Sequence, residues 1–331
     1  MKSKKIFTLA ALVVFLAGVS FASALQREKY EEKFEKTVRL DKGGKVDLRN
    51  IAGNLEVKTW NKAEVKIDAL KVSKEDSMEK ARENAGKVKI EVLEEGDVLY
   101  IKTEYPKEKI RSLNVSVEFW LTIPEDASVN INSVSGDIKA ENIGGALKAG
   151  TVSGDVTLMD IEGTLIASSV SGDVTVDKAG SGADCKSTSG NVELKMIDGD
   201  VDLNSVSGDV YVENIKGSID AETVSGDIKL MNVEDATEVK VKALSGEVIY
   251  DGVIKSNGRY YLRSHSGKVT LLIPGSSAFD LMAKSFSGGI DTEFDITVSG
   301  KFGKEIKGSV NGGGAEVDVK TFSGTIVLKK K

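Results

Sequence analysis

The residues most able to do chemistry recur along one line: Asp137, Asp155, Asp173, Asn191, Asp209 and Asp227, each 18 positions from the last. Each follows a glycine, in the triplets Ser135-Gly136-Asp137, Ser153-Gly154-Asp155, Ser171-Gly172-Asp173, Ser189-Gly190-Asn191, Ser207-Gly208-Asp209 and Ser225-Gly226-Asp227. Stacked carboxylates about 5 Å apart repel one another unless water, lysine or a cation screens them, so calcium is one chemistry to weigh. Calcium-binding β-rolls, however, use a longer Gly-Gly-x-Gly-x-Asp nonapeptide. The bare triplet reads instead as a turn, with glycine at positive φ and Ser and Asp satisfying backbone groups. This makes Gly136, Gly154, Gly172, Gly190, Gly208 and Gly226, with Asp137, Asp155, Asp173, Asp209 and Asp227, a structural turn column, and no cofactor or metal is called for.

Other reactive side chains stand alone. His265 is the only histidine and Cys185 the only cysteine, so neither a triad nor a zinc cluster has partners. His265 precedes Ser266-Gly267 in the place held elsewhere by Val206, Val224, Leu244, Phe286 and Phe322. Stepping by 18 from Ala149 gives Ala167, Cys185, Leu203 and Ala221, an inward column in which Cys185 is a small hydrophobe. The triple glycine of Asn311-Gly312-Gly313-Gly314 lacks the Lys-Ser/Thr of a phosphate loop and reads as a hairpin or bulge turn. Paired carboxylates could serve a polysaccharide-acting β-helix enzyme. Against that, the acids form a uniform column and the sugar-stacking candidates Trp60 and Trp120 lie outside the regular coils. No catalytic residue is assigned, and the chain is read as a non-enzyme.

The elements that carry this column follow from the same spacing. After each triplet comes a β-branched apolar residue (Ile138, Val156, Val174, Val192, Val210, Ile228), and two positions on another apolar one, the alternation of a half-buried strand. A second turn follows halfway round, as in Asn142-Ile143-Gly144-Gly145 and Asn214-Ile215-Lys216-Gly217. Two short strands per 18 residues bury nothing alone, but stacked coils bury a continuous core. The expected fold is all-β, a parallel β-solenoid with 18-residue coils and one short capping or inserted helix near residues 74-85. Roughly ten coils make a rod on the order of 45 Å long. The helix is expected from Ser73 and Asp76 at capping-box spacing, Met78, Ala81 and Ala85 at helical intervals, and Gly86 as a stop.

Three lysines, an apolar stretch from Ile6 to Val19 and the small-x-small run Ala22-Ser23-Ala24 make residues 1-24 a secretory signal peptide. Residues 26-125 are expected to form wider β coils with the helical insertion, and 126-331 the regular repeat with a C-terminal cap, all in one continuous domain. Cleavage removes Lys2, Lys4 and Lys5, moving the net charge from −6 to −9, which disfavours nucleic acid. No membrane span is expected in the mature chain, which is placed in the periplasm, at the cell surface or outside the cell. With one cysteine, no internal disulfide can form, and stability rests on packing.

The pattern resembles the bacterial "putative adhesin" family, a domain of unknown function in exported proteins. Carrying the resemblance are Phe34-Glu35-Lys36-Thr37-Val38, Asn50-Ile51-Ala52-Gly53-Asn54-Leu55-Glu56-Val57, Leu121-Thr122-Ile123-Pro124 before Val134-Ser135-Gly136-Asp137-Ile138, and Thr321-Phe322-Ser323-Gly324-Thr325-Ile326. It implies a β-solenoid, an envelope location and no catalytic residues to carry over. The function expected is an exported, adhesin-like binding or structural protein whose partner is an envelope polymer, a surface glycan or a protein. The alternatives are a periplasmic accessory role in envelope-stress signalling and the β-helix enzyme above.

Overall fold

In the computed structural model, residues 27–106, 113–298 and 304–331 are described, so the signal-peptide reading of 1-24 lies outside the described residues. Two long sheets run side by side along the rod, one of 14 strands and one of 15. In each regular coil, a strand of the second sheet leads through the Ser-Gly-Asp corner to a strand of the first sheet. Leu147–Ser153 followed by Val156–Ile161 is one such coil. Successive coils pair in parallel with a register of 18: Leu147 sits beside Leu165, Leu165 beside Ala183 and Ala183 beside Val201. The expected all-β solenoid is the observed fold.

The core lies between the sheets and is a set of columns. Leu147, Ala149 and Thr151 point inward, as do Val156, Leu158 and Ile161. Between Leu158 and Ile161 two residues face out instead of one, because Asp160 adopts a left-handed φ of 56°. The same bulge recurs at Asn142, Lys178, Met196, Asn214 and Asn232, which restores the inward parity for the column Ile143, Ile161, Ala179, Ile197, Ile215 and Val233. Cys185 is fully buried between Ala167 and Leu203, and burial pushes its thiol pKa up.

Both ends depart from simple stacking in chain order. At one end the coil made by Lys45–Ala52 and Leu55–Trp60 is an inner layer. It lies between the coil Ser128–Ser135/Ile138–Ile143 and an outer layer formed by Val98–Glu104 and Val115–Pro124. Antiparallel strands Glu64–Glu75 and Glu28–Arg39 then extend the first sheet, and Lys89–Glu95 the second. At the other end Ala315–Ser323 slots between Arg259–Ser266 and Phe279–Ser287, and Ile326–Lys330 between Val269–Ile273 and Ile290–Thr292. The turn Asn311–Gly314 therefore joins Glu305–Val310 to Ala315–Ser323, two strands that flank Phe279–Ser287 and do not form a hairpin with each other.

One helix is present among the described residues, Met78–Lys87, later than the expected start. The preceding strand runs on to Glu75, which buries Ser73, so Ser77 becomes the N-cap and accepts from the Lys80 N–H at 3.3 Å. Ala81, Asn84 and Ala85 face the protein, and the buried Asn84 amide donates to Glu75 Oε1 at 2.6 Å. The outermost strand, Glu28–Arg39, is dense in Glu and Lys, a composition that discourages pairing with another chain at a bare edge.

Candidate functional site

The turn column that dominates the sequence is a lattice of coil-to-coil bonds. Asp137 Oδ1 accepts the Asp155 N–H at 3.0 Å, Asp155 Oδ1 the Asp173 N–H at 2.9 Å, and Asp173 Oδ1 the Asn191 N–H at 2.7 Å. Asn191, Asp209 and Asp227 continue the series to the N–H of Glu247, and Asn54 begins it by accepting from Asp137. Each acid thus has one oxygen committed to the backbone of the next coil. Asn191 performs the same task without a charge, so the requirement is an acceptor and not a carboxylate.

Glycine is demanded at this corner by close approach more than by backbone angle. Gly136, Gly154, Gly172 and Gly226 have φ between 141° and 155°, whereas Gly190 and Gly208 lie outside the left-handed range. At all of these except Gly136, a Cβ would stand 2.0–2.3 Å from the carbonyl oxygen of the glycine one coil back, and at Gly136 it would meet Gly53 O at 2.2 Å. The hydroxyl that holds the corner is also not the serine of the triplet. Thr151, Ser169, Ser187, Ser205 and Thr223, two positions earlier and buried, donate to those glycine carbonyls at 2.9–3.2 Å.

Between that hydroxyl and the triplet lies a residue whose parity points it to solvent. Stacked by the register of the second sheet, these residues are Val134, Val152, Val170, Thr188, Val206, Val224, Leu244, His265, Phe322 and Phe286. Leu244 is 51 % exposed, Phe322 48 % and Phe286 60 %. At the aromatic end the rings stack: His265 on Phe322 with centroids 4.9 Å apart, and Phe322 on Phe286 at 4.6 Å. Lys304 Nζ stands 5.6 Å from the outer face of Phe286. His265 therefore belongs to this aromatic run.

This column forms one wall of an open groove of about 1000 Å³. Its other wall is the outward position two residues earlier in each strand, where Lys186, Asn204, Glu222, Lys242, Arg263, Lys320 and Lys284 succeed one another. Five cations against one carboxylate make the groove opposite in sign to a chain whose net charge is −6. Lys186 meets Asp184 at 3.0 Å, Lys284 meets Glu305 at 3.0 Å and Lys242 bonds Glu222, while Lys320 (2.7 Å) and Arg263 (3.9 Å) share Asp318.

Sequence spacing marks Val206, Val224, Leu244, Phe286 and Phe322 as apolar repeat positions but does not by itself mark a surface. The signal that does so is the parity: if Leu147, Ala149 and Thr151 are inside, Val152 must be outside. Of the two tryptophans, Trp60 donates its indole N–H to Glu64 O at 2.7 Å and Trp120 is partly exposed on the first sheet, away from the groove. Among the described residues no group of three or more His, Cys, Asp or Glu is placed to hold a metal, and no helix is long and apolar enough to cross a membrane.

No curated protein matches the chain. Three solved structures are similar over 90 % of this chain and 97 % of their own. A "putative lipid binding protein" from Parabacteroides distasonis has 13 % identity and a TM-score of 0.46. A "putative adhesin" from Bacteroides fragilis has 13 % and 0.37, and one from Parabacteroides distasonis 12 % and 0.35. The family model described as Toastrack DUF4097 matches residues 44–252 and, in a second, overlapping match, 236–329. Since those two matches take in the corner column and reach every described strand except Glu28–Arg39, the chain belongs to the Toastrack family of unknown function.

Proposed function

We propose that this chain is an exported, adhesin-like protein of the cell envelope that binds an elongated partner along the apolar column of its second sheet, without catalysis. The observation that carries this reading is the column itself: ten stacked positions from Val134 to Phe286, nearly all apolar and half exposed. Scattered exposed apolar side chains need no explanation, but a contiguous line of them marks an interaction surface. An envelope polymer, a surface glycan or a protein are the partners in view. The leader at residues 1-24 supports export, and residues 25-331 act as one continuous domain, with the wider coils of 26-125 closing one end of the regular repeat 126-331.

Co-sedimentation of the purified chain with cell-envelope fractions tests the reading. Wild type should sediment with them, and Leu244→Asp and Phe322→Asp should not, while both variants keep the wild-type thermal midpoint. Equal sedimentation of wild type and variants would remove the column from recognition. Protein recovered from outside the cytoplasm should begin at Leu25, and an N-terminus at Met1 would refute the leader.

A further inference from the structure

We infer that the groove takes a single-chain anionic amphiphile, its acyl chain lying along the column and its anionic head at Arg263 and Lys320. The inference rests on the column's being a binding surface, as proposed above, and takes the acyl part of an envelope component, in place of a glycan or a peptide, as what lies in it.

The floor and walls decide what can lie there. The hydroxyls of Ser205, Thr223, Ser264, Thr321 and Ser285 all donate to glycine carbonyls of an adjacent coil, and the strands beneath them are internal to the sheet. A peptide laid along the column would find its backbone groups without partners on the floor, at a real cost in desolvation. A sugar ring would seek an aromatic face, but both faces of Phe322 are covered, by His265 and by Phe286, and Lys304 stands over Phe286. What the column presents is ring edges and the methyl groups of Val206, Val224 and Leu244. An acyl chain needs neither hydrogen bonds nor ring faces.

Length and charge agree with that choice. From Phe322, level with Lys320, back to Val206 the column makes four coil steps of about 4.8 Å, a run of about 19 Å, room for an extended long-chain acyl group. The head is placed by the cation excess. Arg263 and Lys320, on neighbouring strands, share the carboxylate of Asp318, so among the described residues one positive charge there has no counterion of its own. The Asp318 carboxylate is buried, while the Arg263 and Lys320 side chains stay 49 % and 37 % exposed, so both cations can face an arriving carboxylate or phosphate without giving up that pairing.

Calorimetric titration with palmitate below its micelle concentration tests the proposal, alongside hexadecyl maltoside as the neutral head and phosphatidylglycerol vesicles as the bilayer arm. Palmitate should bind one per chain and at least tenfold more tightly than the maltoside. Phe322→Asp and Val224→Asp should each weaken palmitate at least tenfold. The charge reversal Arg263→Glu/Lys320→Glu should weaken palmitate about tenfold and leave the maltoside unchanged. Absence of palmitate binding, binding that ignores Phe322→Asp and Val224→Asp, or binding to vesicles alone would each overturn the inference. If palmitate fails while envelope fractions are still bound through Leu244 and Phe322, the ligand class is wrong and the binding surface stands. If both fail, the surface itself is wrong.

Discussion

Asp155 Oδ1 accepts the backbone N–H of Asp173, the residue 18 positions on, at 2.9 Å. The bond crosses from one coil to the next, so the side chain extends the ladder of the sheet round a corner where the strands themselves stop. Replacing Asp173 by Asn should shift the urea midpoint little, because Asn191 already fills that place in the next coil. Asp173→Ala should cost about 1 kcal/mol through the lost acceptor. Equal losses for Asn and Ala would show that charge, and not acceptance, is what the column supplies.

Calcium and chelator should leave the thermal midpoint unchanged, since these acids each have one oxygen already engaged by a backbone N–H. A rise of several degrees with calcium, reversed by chelator, would make the column a cation ladder instead.

Gly172→Ala and Gly208→Ala separate backbone angle from close approach. Gly172 has φ 151°, Gly208 lies outside the left-handed range, and an added Cβ meets a carbonyl oxygen at 2.0 and 2.1 Å respectively. Both variants should lose about 2 kcal/mol or more, as overpacking against a fixed backbone does. A neutral Gly208→Ala with a damaging Gly172→Ala would return the explanation to φ alone.

Much of the fold is legible in the residue spacing, and the limits have identifiable causes. The 18-residue step reveals the stack because each coil repeats the same inward residues, and Cys185 falls between Ala167 and Leu203 as the register requires. The same uniformity hides which coil touches which: Thr321-Phe322-Ser323-Gly324 looks like any corner, and nothing in it says that its strand lies between Arg259–Ser266 and Phe279–Ser287. The groove is hidden in the sequence because Val206 or Leu244, beside a turn, looks like core until the parity is followed outward. The helix start is misplaced by spacing alone because Ser73 and Ser77 are both credible caps, and only the length of the preceding strand chooses between them.

Cys185 should resist thiol reagents in the native protein. Its side chain is fully buried and burial pushes its pKa up, so the reactive thiolate is disfavoured. Labelling should proceed at the rate of unfolding and accelerate in denaturant. Rapid native labelling would mean that the sheets part at this level.

Alkali should weaken the end of the rod near Tyr105, whose pKa is pushed up to about 12 by burial while its hydroxyl donates to Val115 O at 2.9 Å. An unfolded tyrosine ionises near pH 10, so the contribution is intact below about pH 10 and is lost as pH rises toward 12. The stability difference between wild type and Tyr105→Phe should therefore shrink across that window. A difference that stays constant would show that the phenol ionises equally in both states.

The layering at the two tips bears on how the rod comes apart. The last parallel coil at one tip, Phe279–Ser287 with Ile290–Thr292, and the strands Glu305–Val310 and Thr297–Val298 outside it are held in the chain between Ile273 and Ala315, both of which remain bound in layers beneath them. At the opposite tip Val98–Glu104 and Val115–Pro124, with Glu64–Glu75 and Lys89–Glu95 outside them, are likewise held between Trp60 and Ser128, whereas the outermost strand, Glu28–Arg39, lies outside that loop. When such a layer lifts off it becomes a closed loop and not a loose tail. A loop tethered at both ends gains less conformational entropy than a free end, so the reward for fraying is reduced where a stacked rod is otherwise most exposed to it.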